Sequence, residues 1–236
     1  MRKVKENLLK GVLWGSIVFT LGVLIFILSY IFIKGIGSLS LSFLIKDYSP
    51  SGDGGVLPMI ITTLYMVILS ILVATPISIL AAIYLQEYAR QGTLVKIIRF
   101  ATECLSGIPS IVYGLFGAVF FVEYLNMGYS ILAGSLTVSI IILPVIIRTT
   151  EESLKSVPES YKEGSLGLGA TRLQTLYKVI VPSAMPGILA GTILAIGRVI
   201  GESAAILLTA GTVAKVPKSI FSSGRTLTVQ AYLVTK

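Results

Sequence analysis

Long apolar runs separated by short polar segments occupy most of this 236-residue chain. A helix needs about 20 consecutive, mainly apolar residues to cross a bilayer, and five runs approach or exceed that length. The pattern therefore predicts an all-α membrane protein, a polytopic bundle with five visible spans. The predicted spans are Gly11–Ile33, Val56–Leu85, Cys104–Leu125, Ser130–Ile147 and Pro186–Ala210.

The two ends of the chain need separate interpretation, because the first apolar run could be a signal peptide and the last stretch could be a further span. The first run follows the basic segment "MRKVKENLLK", but its apolar stretch is too long for a signal-peptide core, so we interpret it as an anchored helix. The stretch from Thr212 to Lys236 contains no run long enough to cross again. The second run is longer than one crossing needs and contains Pro76, which predicts that it tilts, kinks or extends beyond the bilayer. In the third run, Pro109 predicts a bend.

Composition agrees with a membrane environment and narrows the chemistry. The chain is 54% hydrophobic and 13% charged, with a mean hydropathy of +0.90, far from the composition of soluble domains. It has no histidine and one cysteine, Cys104, so an internal disulfide is excluded and metal or redox chemistry is disfavoured. Hydrolase motifs such as H-E-x-x-H and G-x-S-x-G do not occur.

The net charge of +8 comes from basic residues scattered over the loops. Lys and Arg are more numerous in the loops that are cytoplasmic if the N-terminus is inside, which predicts that orientation. Because the basic residues form no patch with aromatic residues, we do not expect nucleic-acid binding. The predicted organisation is a basic cytoplasmic N-terminus over residues 1–10 and one transmembrane domain over residues 11–236.

The polar segment 149–182, between the fourth and fifth predicted spans, has the features of a helix, a glycine turn and a second helix. Proline suits the start of a helix, glycine its end, and Thr with Gln three residues later forms a capping box. These features are Pro158, Gly169, Thr171 with Gln174, and Pro182, which we expect to interrupt the approach to the fifth span. Secondary structure alone is also compatible with a solvated connector.

The same segment carries a family resemblance in "EGSLGLGATRLQTLYKVIVP". It resembles the EAA loop of ABC importer permeases, in which an acid and two small residues precede a glycine at fixed spacing and a proline follows. Glu163, Gly164 and Ser165 occupy the first three places, Gly169 the glycine and Pro182 the proline. The resemblance implies that the helix from Pro158 docks in a groove of a cytoplasmic ATPase.

The segments "GIPSIVYGLFG" and "PSAMPGILAGTILAIGRVIGESAAILLTAGT" extend the resemblance over roughly Pro58 to Leu233. They are similar to phosphate importer permeases of the PstA type. The resemblance implies a type I, MetI-like permease in the cytoplasmic membrane of a bacterium or archaeon. It also implies a sixth span that this sequence lacks. The implied partners are a PstC-like second permease, two PstB-like ATPases that bind ATP and Mg, and a PstS-like extracytoplasmic phosphate-binding protein; this chain itself is expected to bind no cofactor.

The apolar run "GTILAIGRVIGESAAILL" contains two charges, Arg198 and Glu202. Charges within a membrane helix are costly and mark functional sites, and the planar guanidinium suits phosphate oxygens. The spacing of four residues predicts that Glu202 pairs with Arg198 and tunes its affinity. The alternative is that this pair only joins two spans. Arg148 is a further candidate phosphate contact, and equally an interfacial anchor.

Two alternatives remain open on the residues. Arginine and glutamate do not distinguish phosphate from another oxyanion or a phosphonate. A stand-alone channel or ion-coupled carrier also uses intramembrane charges, although neither needs an ATPase-docking loop. Small residues suggest close helix packing instead of binding: two G-x-x-x-G pairs occur in the fifth span, Gly187 with Gly191 and Gly197 with Gly201.

Overall fold

The computed structural model describes residues 2–50, 54–90 and 92–235, and these residues are helical without any strand. The helices, in chain order, are α1 (Arg2–Ile36), α2 (Leu41–Ile45), α3 (Leu57–Ile83), α4 (Thr93–Gly107), α5 (Ser110–Gly117), α6 (Ile131–Lys155), α7 (Glu159–Gly167), α8 (Arg172–Thr175), α9 (Val181–Gly201), α10 (Ala204–Thr209) and α11 (Leu227–Val234). Wider, π-helical segments continue α3, α5 and α8 over Tyr84–Tyr88, Ala118–Tyr124 and Leu176–Ile180. The all-α class predicted from the apolar pattern is confirmed.

The chain divides into two compact units, residues 1–46 and 47–236. The first unit contains α1 and α2. Over its apolar part, Leu9–Ile36, α1 has a mean hydropathy of 2.6 and buries none of its side chains within the structure. It is therefore long and apolar enough to cross a membrane by itself.

The second unit is built around α6, which packs against α3, α5, α9 and α10. Serine hydroxyls join α3 to α6: the hydroxyl of Ser70 donates to the Ser135 carbonyl oxygen at 3.1 Å, and that of Ser139 donates to the Ser70 carbonyl oxygen at 3.2 Å. Such small residues permit the two backbones to approach closely. The apolar core around this contact includes Met66, Ile131, Val138, Ile142, Ile146, Val199 and Ile206, all almost fully buried.

The predicted third span is not one straight helix. The helix is interrupted between α4 and α5, and the two helical arms, Thr93–Gly107 and Ser110–Tyr124, are bent by 98° relative to each other. Ile108 and Pro109 are extended at the break, as expected for a proline and the residue before it. The bend at Pro109 is confirmed, whereas the predicted range Cys104–Leu125 is wrong because the first arm begins at Thr93.

The fourth and fifth spans also end elsewhere than predicted. Helix α6 continues to Lys155, well beyond the predicted end at Ile147, so Arg148 lies inside a helix. The fifth predicted helix, in contrast, stops at Gly201, because Glu202 takes an extended conformation, and α10 begins only at Ala204. The predicted continuous helix to Ala210 is therefore wrong.

Pro182 does not interrupt the chain as predicted. The helix is continuous from Arg172 to Gly201 and counts as one apolar span. Pro182 lies in the first turn of α9, directly after the π-helical segment Leu176–Ile180. Proline lacks the N–H that an α-helix needs and its ring crowds the preceding turn, and the wider π-helical turn accommodates both effects.

Four helical stretches of the described residues are long and apolar enough to span a membrane, and the bent pair α4–α5 makes a possible fifth. The four are Leu9–Ile36, Leu57–Tyr88, Ile131–Lys155 and Arg172–Gly201. The order of the apolar segments predicted from the sequence is thus confirmed, and their number agrees when the bent pair α4–α5 is counted as one span. Several of their bounds differ from the predicted ones. The chain is a multi-pass membrane protein.

Candidate functional site

Arg198 lies near the end of α9, three residues before the helix stops. Its side chain is half-buried, and it forms no hydrogen bond or ion pair with any other residue that the structure describes. It is close enough to Tyr113 of α5 for an electrostatic interaction. The Tyr113 side chain is 5% exposed, and its hydroxyl donates to the Leu105 carbonyl oxygen at 2.7 Å. Arg198 thus lies close to the region where the two arms of the bent pair meet.

Glu202 does not pair with Arg198, and the pairing predicted from their spacing is wrong. Its Oε1 accepts the backbone N–H of Ala205 at 3.1 Å, so the carboxylate caps the start of α10. Its backbone carbonyl accepts the hydroxyl of Thr228, in the first turn of α11, at 2.9 Å. The spacing of four residues brings side chains together only on a continuous helix, and α9 ends between these two residues.

Arg148 lies on α6, where its Nε is 3.1 Å from Glu152 Oε1 in a pair whose side chains are 68% and 62% exposed. The pair lines a cavity of about 480 Å³ between α4 and α6. The same cavity is lined by an ion pair that the sequence did not suggest, in which Arg99 Nη2 is 3.0 Å from Glu151 Oε1. Arg198 does not line this cavity, so the cavity does not bring Arg148 and Arg198 together.

The predicted docking segment forms the helix–turn–helix that its turn residues indicate. Helix α7 starts after Pro158, which is the capping residue rather than the first helical residue. It ends with Gly169 in the left-handed region at φ +85°, as predicted. The N–H groups of Gly169 and Ala170 bond back to the carbonyls of Leu166 and Ser165, at 2.9 and 3.2 Å, which is a Schellman motif. The turn is therefore determined locally.

The second half of this motif is also capped as predicted. The Thr171 hydroxyl accepts the Gln174 N–H, and the Gln174 side chain accepts the Thr171 N–H at 2.9 Å, which completes the capping box. The hydroxyls of Ser165 and Thr175 lie 2.9 Å apart and join α7 to α8. Glu163 and Gly164 of α7 are exposed.

Large apolar side chains on the helix–turn–helix are uncovered. The most extreme is Leu168, at 92% exposed, in the turn after α7. Exposed apolar clusters with polar borders are typical of surfaces that bind another protein. The others are Tyr161, Leu173 and Tyr177, each more than half exposed.

The glycine pairs of α9 behave differently from each other. A Cβ on Gly187 meets the Ser153 side chain of α6, and one on Gly191 meets Thr149, so this pair does allow close packing. A Cβ on Gly197 or Gly201 meets nothing within 4 Å in the described chain. The predicted role in close helix approach is confirmed for Gly187 and Gly191. Gly197 and Gly201 face no helix among the described residues.

The sequence also missed an ion pair at the end of the bundle that carries α7. Lys162 Nζ is 2.6 Å from Glu87 Oε2, although the two residues are 75 positions apart in the chain. Lysine and glutamate are common on solvated helix faces, and nothing in their local sequence relates one to the other.

Known proteins resemble this chain over most of its length. The family described as "Binding-protein-dependent transport system inner membrane component" matches residues 74–235. The "Probable ABC transporter permease protein YqgI" of Bacillus subtilis is 37% identical over 211 residues, covering 89% of this chain and 72% of that protein. The "Phosphate transport system permease protein PstA" of Pasteurella multocida is 40% identical over 210 residues, covering 89% of this chain and 75% of that protein. "PstA 2" of Mycobacterium bovis is 42% identical over 170 residues, covering 72% and 56%.

Proposed function

The chain belongs to the binding-protein-dependent transport system inner membrane components, and we propose that it is the permease subunit of an ATP-driven importer for inorganic phosphate. The family is a transport component and not an enzyme, and ATP hydrolysis belongs to a separate subunit. The likeness to PstA permeases of several bacteria supports phosphate as the substrate. The match of a MetI-like family supports the fold implied by the docking motif.

The unpaired guanidinium of Arg198 is the observation that best supports an anionic substrate. Phosphate loses part of its hydration in a passage of low dielectric constant, and a fixed cation offsets that loss. Arginine stays protonated and presents a planar set of donors to the phosphate oxygens. Because Arg198 has no ion pair among the described residues, its donors are available to a passing anion.

Arg148 and Glu202, the other two residues assigned to the substrate path, have different roles in this proposal. Arg148, exposed beside a cavity, offers a second cation nearer the end of the bundle that carries α7. Glu202 shapes the proposed path by fixing the backbone. Its carboxylate caps α10 and so maintains the break between α9 and α10, four residues after Arg198. The carboxylate also keeps a negative charge in this region, which prevents the site from holding phosphate too tightly.

The helix–turn–helix from Pro158 to Pro182 is the proposed docking surface for the ATPases. The small Gly164 permits close backbone approach, the exposed Glu163 supplies an anchoring charge, and the uncovered Leu168 supplies apolar contact. Recognition of this kind places a helix in a groove of the partner. The proposed assembly contains a second permease, two ATPases that bind ATP and Mg, and an extracytoplasmic phosphate-binding protein. The N-terminus lies in the cytoplasm, as the distribution of Lys and Arg predicts.

The test is uptake of labelled phosphate by cells that carry the complete transporter with Arg198→Ala or Arg198→Lys. We expect Arg198→Ala to lower uptake by about 100-fold, since loss of a buried charge–phosphate contact removes several kcal/mol. We expect Arg198→Lys to retain part of the activity. Lys96→Ala removes an exposed cation elsewhere in the chain and serves as the control.

Competing unlabelled sulfate and phosphonate in the same assay separates the substrate alternatives. Unlabelled phosphate is expected to lower the uptake of labelled phosphate more than unlabelled sulfate or phosphonate does. Normal uptake by Arg198→Ala overturns the role of Arg198, and preferential transport of sulfate or a phosphonate overturns phosphate as the substrate. Uptake that persists without the ATPases favours the stand-alone channel or carrier.

A further inference from the structure

Helix α7 is weakly attached to the rest of the chain. None of its residues is buried. Among the described elements, it packs mainly against α8 and the π-helical segment that follows α8. Both of these neighbours lead directly into α9. A force on α7 therefore reaches α9 through the continuous chain and through the Ser165–Thr175 hydroxyl contact.

The ion pair between Lys162 and Glu87 adds a second route that leads to a different helix. Glu87 lies in the π-helical end of α3, the segment Tyr84–Tyr88. The 2.6 Å contact between its Oε2 and Lys162 Nζ is the charged connection from α7 to α3. Because α3 packs along α6 and α9, a displacement of its end is transmitted to the centre of the bundle.

Burial makes this pair stronger than an ordinary surface pair. The Glu87 side chain is 14% exposed and that of Lys162 is 41% exposed, whereas the Arg148–Glu152 pair is more than 60% exposed on both sides. Exposed pairs contribute little because water screens them. Glu87 is the less exposed partner, and removing Lys162 is costly because it leaves this partly buried carboxylate without its counter-ion.

The surroundings of the pair indicate that it bridges a gap instead of reinforcing a packed contact. Glu87 and Lys162 both line two cavities, of about 220 and 410 Å³. Arg172 is the other charged residue at the first cavity, and Lys155 and Glu159 are those at the second. With open space on both sides, the distance between α7 and the end of α3 depends on the ion pair more than on side-chain packing.

We propose that Lys162 and Glu87 form a positioning link that couples the docking helix α7 to α3, so that movement of the ATPases displaces α3 and α9 together. This inference rests on the proposed function of α7 as the docking helix. Without the link, α7 still binds the ATPase through its exposed face, but its movement reaches α3 only indirectly, through α9 and the apolar cluster that contains Ile83, Leu176 and Ile180. ATP hydrolysis then continues with less transport for each ATP consumed.

The test measures three quantities in the purified complete transporter in proteoliposomes: co-purification of the ATPases, ATP hydrolysis stimulated by the loaded binding protein, and phosphate uptake. The variants are Lys162→Gln, Glu87→Gln, the conservative Lys162→Arg, and the exchange Lys162→Glu with Glu87→Lys. We expect each Gln variant to retain the ATPases and to lower phosphate transported per ATP by about 10-fold, the size of typical coupling changes. We expect Lys162→Arg and the exchanged pair to restore most of the ratio.

Lys96→Gln is the matched control, because it removes the same charge from an exposed position outside the docking segment and is expected to leave the ratio unchanged. The link is overturned if both Gln variants keep the wild-type ratio, or if the exchanged pair behaves no better than the single variants. Failure of the link leaves phosphate uptake and its dependence on Arg198 intact. Failure of the proposed function instead appears as absence of phosphate uptake in the wild-type protein.

Discussion

Glycines of α7 and glycines of α9 show how one residue type serves two different surfaces. Gly187 and Gly191 of α9 lie against Ser153 and Thr149 of α6, with a Cβ on Gly187 placed 2.8 Å from the Ser153 Cβ. A Cβ on Gly164 of α7 meets nothing within 4 Å. The first set permits packing inside this chain, whereas the second lies on an exposed face.

The difference separates a surface that another helix of this chain covers from a surface that is exposed in the described chain and that we propose as the docking surface. Both regions contain closely spaced small residues, and small residues permit backbones to approach closely in either setting. What distinguishes them is the presence of a facing helix. Around Gly191 the facing helix is α6, whereas around Gly164 the neighbouring apolar residue Leu168 is almost fully exposed.

Breaking the filled surface has the largest expected effect on stability. We predict that Gly191→Ala lowers the free energy of unfolding by about 1–3 kcal/mol, because the new methyl lies 2.7 Å from the Thr149 Cβ and forces α9 away from α6. Thermal unfolding in detergent measures the loss. Thr149→Gly in the same chain removes the obstructing side chain and should recover part of it, and an unchanged melting temperature for Gly191→Ala contradicts the close contact.

Breaking the open surface is expected to change association and not stability. We predict that Gly164→Leu weakens binding of the ATPases by about 10-fold or more, since a bulky side chain prevents close approach at an interface. Co-purification measures this, and thermal unfolding of the isolated chain should not change. Gly164→Ala is the control, because the EAA pattern itself places alanine there. Equal binding by the alanine and leucine variants counts against docking at this face.

Glu202 sharpens the comparison at the end of α9. We predict that Glu202→Ala lowers the free energy of unfolding by about 1 kcal/mol, because the Ala205 N–H loses the oxygen that caps α10. Glu202→Gln keeps an acceptor oxygen and should retain most of the stability. Melting temperatures of the two variants distinguish capping from charge: equal losses in both indicate that the charge matters and that capping does not.

Gly197 gives the smallest expected effect. It lies in α9 like Gly191, but a Cβ placed on it meets nothing within 4 Å in the described chain. Gly197→Ala should therefore leave the isolated chain as stable as before, or raise its free energy of unfolding by up to about 1 kcal/mol through the better helix propensity of alanine. Thermal unfolding checks it beside Gly191→Ala. Destabilisation of similar size in both variants removes the distinction between filled and open surfaces.

Local signals explain why the helix–turn–helix between Pro158 and Thr175 was predicted closely. Gly169 adopts the left-handed conformation that ends α7, and Thr171 with Gln174 forms the capping box that begins α8. Each depends on residues within four positions of one another. Apolar length likewise predicted the membrane segments, since it reports the solvent of a helix directly.

The wrong and missed predictions have two causes: a helix end that a spacing rule does not anticipate, and a contact between distant parts of the chain. Arg198 and Glu202 were expected to pair because of their spacing, but the helix ends between them and the carboxylate caps α10. The opposite error concerns Lys162 and Glu87, which pair at 2.6 Å across 75 residues. A spacing rule holds only while the backbone is regular, and it contains no information about contacts between separate helices.

The sequence by itself determined that this is an all-α, multi-pass membrane chain with a helix–turn–helix before its last long span. Hydrophobicity, proline, glycine and capping residues act over a few positions, so a single sequence is sufficient to read them. Only the tertiary structure decided that α9 stops at Gly201, that Arg198 is without an ion partner among the described residues, and that Lys162 reaches Glu87. These outcomes depend on which helices pack together, because a charge finds its partner in space and not along the chain.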